Sequence, residues 1–276
     1  MGTLYIVPTP IGNLEDITLR ALRVLKEAAL IAAEDTRTSG VLLKHYDIRT
    51  ATTSYHEHNK LHKLDEILYT LETGDVALIS DAGTPGVSDP GYELVRAAID
   101  AGYTVVPLPG ASAVIAALVG SGLPSDAFIY LGFLPKKDKA RRDVLQSLAQ
   151  EPRTLIAYEN PYRVADTLRA VAAVLGEERP VCVAREISKM FEEFYRGTAA
   201  EVAERYADEP PKGEVTLVIG GATADELVWD ERRVADELGR RLEAGEKLNR
   251  AAKQIAKESG WNKRDVYALG TGDSNR

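Results

Sequence analysis

The sequence predicts an α/β fold, with two α/β domains followed by a small helical domain. Three observations carry this expectation. Short apolar or β-branched runs alternate with segments whose apolar residues fall at helical spacing, as strands covered by helices do. The pattern of strand, loop and helix recurs before residue 115 and restarts after Gly120-Ser121-Gly122-Leu123-Pro124-Ser125, a breaker-rich stretch that suits a domain boundary. From Trp229 onward the strand signals stop. The predicted domains are therefore 1–119, 120–222 and a helical 225–276.

In chain order, strands are expected at Thr3 to Pro8, Leu30 to Ala33, Val76 to Ser80, Thr104 to Leu108, Ala127 to Leu131, Thr154 to Tyr158, Val181 to Arg185 and Glu214 to Ile219. The alternation with helices predicts largely parallel sheets. Helical spacing is clear in Ile17, Leu19, Leu22, Val24 and Leu25, and again in Leu64, Ile67, Leu68 and Leu71. In the tail, Leu248, Ala251, Ala252, Ile255 and Ala256 form one face, Gly260 interrupts, and Lys263-Arg264-Asp265-Val266-Tyr267 resumes. That pattern resembles a helix-turn-helix unit, read either as a helical cover for the second domain or as a module that contacts nucleic acid.

Composition narrows the class. At 45% hydrophobic and 28% charged residues the chain is an ordinary globular one. A single cysteine, Cys182, leaves no internal disulfide framework. No apolar run reaches membrane-spanning length and no basic, apolar leader opens the chain, so a cytoplasmic protein with no membrane partner is expected. The net charge of −8 argues against indiscriminate coating of nucleic acid. The charge is uneven, however: Lys136-Lys137-Asp138-Lys139-Ala140-Arg141-Arg142 is a basic run, and the segment from Gly245 to Arg276 carries more basic than acidic residues.

Candidate chemistry lies in Gly- and Pro-rich loops that follow strands, where open α/β sheets bind ligands. In Pro8-Thr9-Pro10-Ile11-Gly12-Asn13-Leu14-Glu15-Asp16 the prolines stiffen the chain, Gly12 permits a positive φ, and Asp16 can cap the next helix. In Ser80-Asp81-Ala82-Gly83-Thr84-Pro85-Gly86-Val87-Ser88-Asp89-Pro90-Gly91, Asp81 can accept hydrogen bonds from ribose hydroxyls or an amino group, and Asp89-Pro90 reads as a helix cap. Pro109-Gly110-Ala111-Ser112-Ala113 opens a helix with small residues, leaving backbone N–H groups for an anion or allowing close packing. Glu34-Asp35-Thr36-Arg37 ends the second strand, either as a helix cap or as an acid and anion clamp. His56, His58 and His62 bunch in a polar loop that is read as substrate-facing, and no metal site is assigned. Neither a dinucleotide fingerprint, nor a Walker loop, nor a nucleophile elbow occurs.

Taken together, Pro8 to Leu14, Ala33-Glu34-Asp35-Thr36-Arg37, Tyr55-His56-Glu57-His58-Asn59, Ser80 to Gly86 and Gly132-Phe133-Leu134-Pro135 closely resemble the small-subunit ribosomal RNA methyltransferase I family of the tetrapyrrole methylase superfamily. The resemblance runs from Leu4 to about Gly221, and the helical tail is similar too. It implies S-adenosylmethionine-dependent 2′-O-methylation of a cytidine in the decoding region of 16S rRNA, with the rRNA in the 30S subunit, by a homodimer whose cofactor lies in the cleft between two α/β domains. Relatives acting on tetrapyrroles carry a G-x-G-x-G-x-P loop after the first strand; the single Gly12 in that loop points away from such a substrate.

By the same resemblance, Pro10, Asp81, Gly83, Thr84, Ser112 and Ala113 meet the cofactor in the first half, and Tyr158, Val215 and Thr216 in the second. Glu34 and Asp35 are the candidate general bases, with His56 and His58 behind them, and Arg37 is a candidate phosphate clamp. Lys136, Lys137, Arg141 and Arg142 are the expected RNA contacts. Two other readings are a methylase of a small, tetrapyrrole-like metabolite and a non-enzymatic nucleic-acid-binding regulator.

Overall fold

The computed structural model describes residues 1–223 and 229–271, so Asp273 and Arg276 of the tail and the predicted start of the helical domain at residue 225 lie outside the described residues. Met1–Leu145 with Thr154–Gly220 form one compact unit, and Gln146–Arg153 with the described part of Gly221–Arg276 form another.

The first unit holds two five-stranded sheets. In the first half the order along the chain is β1 (Thr3–Ile6), α1 (Leu19–Glu27), β2 (Leu30–Ala33), α2 (Thr36–His45), β3 (Thr52–Ser54), α3 (Lys60–Thr73), β4 (Val76–Ile79), α4 (Tyr92–Asp100) and β5 (Thr104–Pro107). The strands lie in the order β3-β2-β4-β1-β5, all parallel. Side chains alternate along each strand. Leu4, Ile6, Val76 and Leu78 meet Ile67, Leu71 and Leu94 of α3 and α4 on one face. Val7, Ile31, Ala77 and Ile79 meet Val24 and Leu25 of α1 and Leu43 of α2 on the other. Burial on both faces explains why β4 reads as the unbroken apolar run Val76-Ala77-Leu78-Ile79. Each large aliphatic side chain buried there contributes about 1.5–3 kcal/mol.

The second half runs α5 (Ala113–Ser121), β6 (Phe128–Phe133), α6 (Asp138–Ser147), β7 (Thr154–Glu159), α7 (Val164–Leu175), β8 (Pro180–Arg185), β9 (Glu193–Thr198), α8 (Ala199–Arg205) and β10 (Val215–Ile219). Its sheet order is β6-β7-β10-β8-β9. The expectation of largely parallel strands fails here. Only β6 and β7 are parallel, while β10 is antiparallel to both β7 and β8, and β8 to β9. The short connection from Arg185 to Glu193 imposes a hairpin, which only antiparallel strands permit. Strands β3 and β9 add to those expected from the sequence. Both are edges: the first is three residues long, and Glu193-Phe194-Tyr195-Arg196-Gly197-Thr198 mixes charge with aromatics. Residue 119 falls inside α5, whose Val114, Ala117 and Leu118 pack on Ile156, Cys182 and Val218 of this second sheet.

In the other unit, α9 (Glu231–Glu243), α10 (Leu248–Ser259) and α11 (Lys263–Thr271) enclose Val234, Leu238, Ala251, Ile255, Val266 and Trp229. Gly260 ends α10 at φ 71, a left-handed value suited to glycine, and the chain turns into α11. Lys253, Lys257, Lys263 and Arg264 are exposed.

Candidate active site

The carboxyl ends of the first sheet are tied to one another by loop hydrogen bonds. The Asp35 amide donates to Asp81 Oδ1 at 3.0 Å and the Asp81 amide to Glu34 Oε2 at 3.3 Å, locking the ends of β2 and β4. Thr9 and Gly83 exchange two backbone hydrogen bonds of 2.9 Å, and the Thr9 hydroxyl donates to the Ser80 carbonyl at 3.1 Å. Gly83 holds φ 76, where a side chain is strained. The Thr84 hydroxyl donates to the Ala111 carbonyl at 3.1 Å, drawing in the loop after β5. Two local expectations need correcting. Gly12 is not at positive φ. Its place needs glycine because a Cβ would sit 2.4 Å from Lys189 Cγ and 3.0 Å from the Ile187 carbonyl oxygen in the loop after β8. Asp16 does not cap α1 either; Thr18 does, accepting from the Ala21 amide.

A cavity of about 360 Å³ opens between these loops and the second sheet. Of the residues expected to meet a cofactor, Gly83, Thr84, Ser112, Ala113, Tyr158, Val215 and Thr216 all line it. Ile11, Val87 and Phe133 add apolar wall, and Ser88, Asp89 and Glu159 add polar groups that sequence reasoning does not single out for a ligand. Ser112 is the N-cap of α5 without a side-chain capping bond, so the first-turn amides of that helix are not met by their own cap. Pro10 and Asp81 do not line this cavity. They line a second one, of about 270 Å³, with Thr9, Ser39 and Ser80. Because Thr9 borders the second cavity and Gly83 the first, the Thr9–Gly83 bridge is the partition between them.

The carboxylates here differ sharply. Asp35 caps α2, accepting from the Arg37 amide at 2.8 Å, and its side chain also takes a bidentate pair of bonds from the Arg37 guanidinium. Those bonds hold its carboxyl well below the usual range. A carboxylate so firmly satisfied is a poor proton acceptor, which corrects its selection as a base. Burial raises Glu34 and Asp81. Asp89 is pushed up to about 6, first by burial and then by the charge of Glu34, against the opposing influence of the nearby Ser80 hydroxyl. It is not the helix cap expected of Asp-Pro, since α4 begins after Gly91. An acid followed by Pro-Gly carries no mark in sequence that separates these two roles.

Beyond β6, Lys136 and Lys137 are exposed, but Arg141 is only 4% exposed and bonded to Asp138 at 2.8 Å. Arg141 is therefore removed from the expected RNA contacts, because the helical spacing of Asp138 and Arg141 turns the guanidinium onto its own helix. Arg142 is half-buried and paired with the same aspartate at 2.7 Å. Burial pushes the Cys182 thiol up to about 11, leaving it inert.

The family model for Tetrapyrrole (Corrin/Porphyrin) Methylases matches residues 3–203, a span that takes in the whole first sheet and most of the second. The chain belongs to the tetrapyrrole methylase family. Within that family this methylase is 48% identical over 271 residues to Ribosomal RNA small subunit methyltransferase I of Synechocystis sp., covering 98% of this chain and 97% of that one. It is 50% identical over 266 residues to the protein of the same name from Mesorhizobium japonicum, covering 96% and 90%. Among solved structures the methylase superposes on uroporphyrin-III C-methyltransferase from Thermus thermophilus with a TM-score of 0.56 and 22% identity, over 80% of this chain and 94% of that one. A complex of that enzyme with S-adenosyl homocysteine gives a TM-score of 0.57 at 20% identity, over 79% and 97%. These last two likenesses bear on the fold alone.

Proposed function

We propose that this methylase transfers a methyl group from S-adenosylmethionine to the ribose 2′-hydroxyl of a cytidine in the decoding region of 16S rRNA. The observation that carries the reading is identity near 50% along nearly the whole chain to proteins named for methylating small-subunit rRNA. The cavity fits such a cofactor. Its 360 Å³ lies within the ordinary range for a small-molecule site, and it joins apolar walls to the open amides of α5 and the Ser112 hydroxyl. When bound, the cofactor supplies an electrophilic methyl on sulfur. This chain's own residues bind and position: Gly83 and Thr84 on one side, Tyr158, Val215 and Thr216 on the other, with Ser112 and Ala113 at the helix end. Pro10 and Asp81 act from behind the bridge, shaping the Thr9–Gly83 turn. Orienting acceptor and donor in one reactive geometry is worth as much as roughly 7–11 kcal/mol of barrier.

Lys136 and Lys137 are the proposed RNA contacts, Arg37 a phosphate contact, and the helical tail a second RNA-facing element. We assign three functional parts, 1–119, 120–222 and 225–276, acting as a homodimer on the rRNA within the 30S subunit in the cytoplasm. Among the described residues no helix is long and apolar enough to cross a membrane. The test supplies labelled S-adenosylmethionine with naked 16S rRNA, 30S subunits or a uroporphyrinogen. Label recovered as 2′-O-methylcytidine from 16S rRNA is expected; label only in the tetrapyrrole, or in none of the three, overturns the proposal.

A further inference from the structure

We propose that Asp89 is the group that takes the proton from the acceptor ribose hydroxyl, an inference that rests on the methyl-transfer reading above. Of the three carboxylates gathered at the ends of β2 and β4, Glu34 and Asp81 lie outside the wall of the 360 Å³ cavity and Asp89 lies in it. The other two acids in that wall are committed. Glu159 is buried, accepts from the Thr167 hydroxyl at 2.7 Å and the Asn160 amide at 2.6 Å, and pairs with Arg163. Glu214 pairs with Lys189 at 3.0 Å. Asp89 has no cation beside it among the described residues, and the nearby Ser80 hydroxyl turns to the Ala82 carbonyl at 3.3 Å.

Its position is also fixed from both sides. Ser88 sits at φ 62, a left-handed value that costs a non-glycine residue energy, and its hydroxyl is 2.6 Å from the Tyr130 hydroxyl of β6. Pro90 follows with its own locked φ, then Gly91, from which α4 starts. Strain retained at a residue that a second sheet clamps in place is what a presented side chain requires.

The groups that face Asp89 are Glu34 and Asp81 from the ends of β2 and β4, Ser80 beneath it, and the Tyr130 and Tyr158 hydroxyls from the second sheet. Burial and the two acids make its carboxylate more basic than a free one, near 6, which suits a base that works at neutral pH. In the step, the 2′-oxygen bonds to the methyl carbon while the carbon–sulfur bond breaks and its electron pair stays on sulfur. The hydroxyl proton passes to Asp89 and from there to water.

The following measurements on the full-length protein decide the matter. Single-turnover methylation of 30S subunits at saturating cofactor should rise with pH to a plateau with a midpoint near 6. Asp89→Asn should lower that plateau by about 10²- to 10⁴-fold while leaving cofactor affinity by calorimetry within a few-fold of wild type. Independently of turnover, the wild-type difference infrared spectrum without ligands should show a carboxyl titrating near 6 that is absent in Asp89→Asn. Near-wild-type single-turnover rates in Asp89→Asn overturn the inference, as does a rate loss matched by an equal loss of cofactor binding. If the wild type itself transfers no methyl to rRNA, the underlying function fails instead.

Discussion

Asp35 and Asp89 are both aspartates in loops between a strand of the first sheet and the helix that follows it, and their neighbours give them opposite characters. Arg37 binds Asp35 through two guanidinium bonds and stabilises its charge, whereas Asp89 is pressed by burial and by Glu34 toward its neutral form. This difference has a consequence for stability. A carboxyl whose folded pKa is raised binds its proton more tightly when folded, so its favourable contribution is present at low pH and is lost as pH rises from about 4 to about 6. Asp89→Asn should therefore melt above wild type at pH 7.5, with the gap closing toward pH 4 in scanning calorimetry. A lower melting point at neutral pH would mean that the carboxylate is held favourably after all. At this scale the sequence marks where acids gather, because Glu34, Asp35 and Asp81 follow recognisable strands. It does not mark their roles, which depend on the hydroxyls, guanidinium and second-sheet tyrosines that only folding brings near.

Among the elements, those buried on both faces are the easiest to read. Val76 to Ile79 are apolar throughout, and Val215 to Ile219 are apolar but for Thr216, because helices or strands cover them on every side. Edge strands carry no such constraint: the edges β5 and β6 keep apolar runs, whereas the three-residue β3 and the charged, aromatic β9 pass for loop. What secures β9 is its exit into α8, where the Thr198 hydroxyl accepts from the Glu201 amide at 3.2 Å and the Glu201 carboxylate accepts in return from the Thr198 amide at 2.9 Å. Loss of this reciprocal cap by Thr198→Ala should cost about 1 kcal/mol, read as a lower urea midpoint with an unchanged slope, while Thr198→Ser should keep most of it. Gly110 offers a second check. A Cβ there would lie 2.6 Å from Pro8 Cβ, so Gly110→Ala should destabilise the chain by about 1–3 kcal/mol and loosen the loops around the cavity.

Over the whole molecule, a net charge of −8 does not rule out an RNA partner, since the cations are concentrated. Replacing Lys136 and Lys137 by alanine should reduce the slope of log affinity against log salt by about one for each phosphate left without its lysine, with thermal stability unchanged. Arg141→Ala should do the reverse, lowering stability with the slope intact, because that guanidinium is buried on its own helix. The overall plan of two sheet halves and a helical tail is legible from the grammar of strands and helices, whereas the mixed direction of the second sheet is not, since a pattern of burial does not record which way a strand runs. That sheet also sets an order in time. Its central strand, β10, is the last of its strands to be made, yet it fills the slot between β7 and β8. A ribosome must finish nearly the entire two-sheet unit before those earlier strands can find their partner. Val215 and Thr216, which close one wall of the cavity, arrive on that same strand. An interrupted chain thus has no complete binding chamber, and the nascent protein becomes competent for its ligand only when synthesis of this unit is all but done.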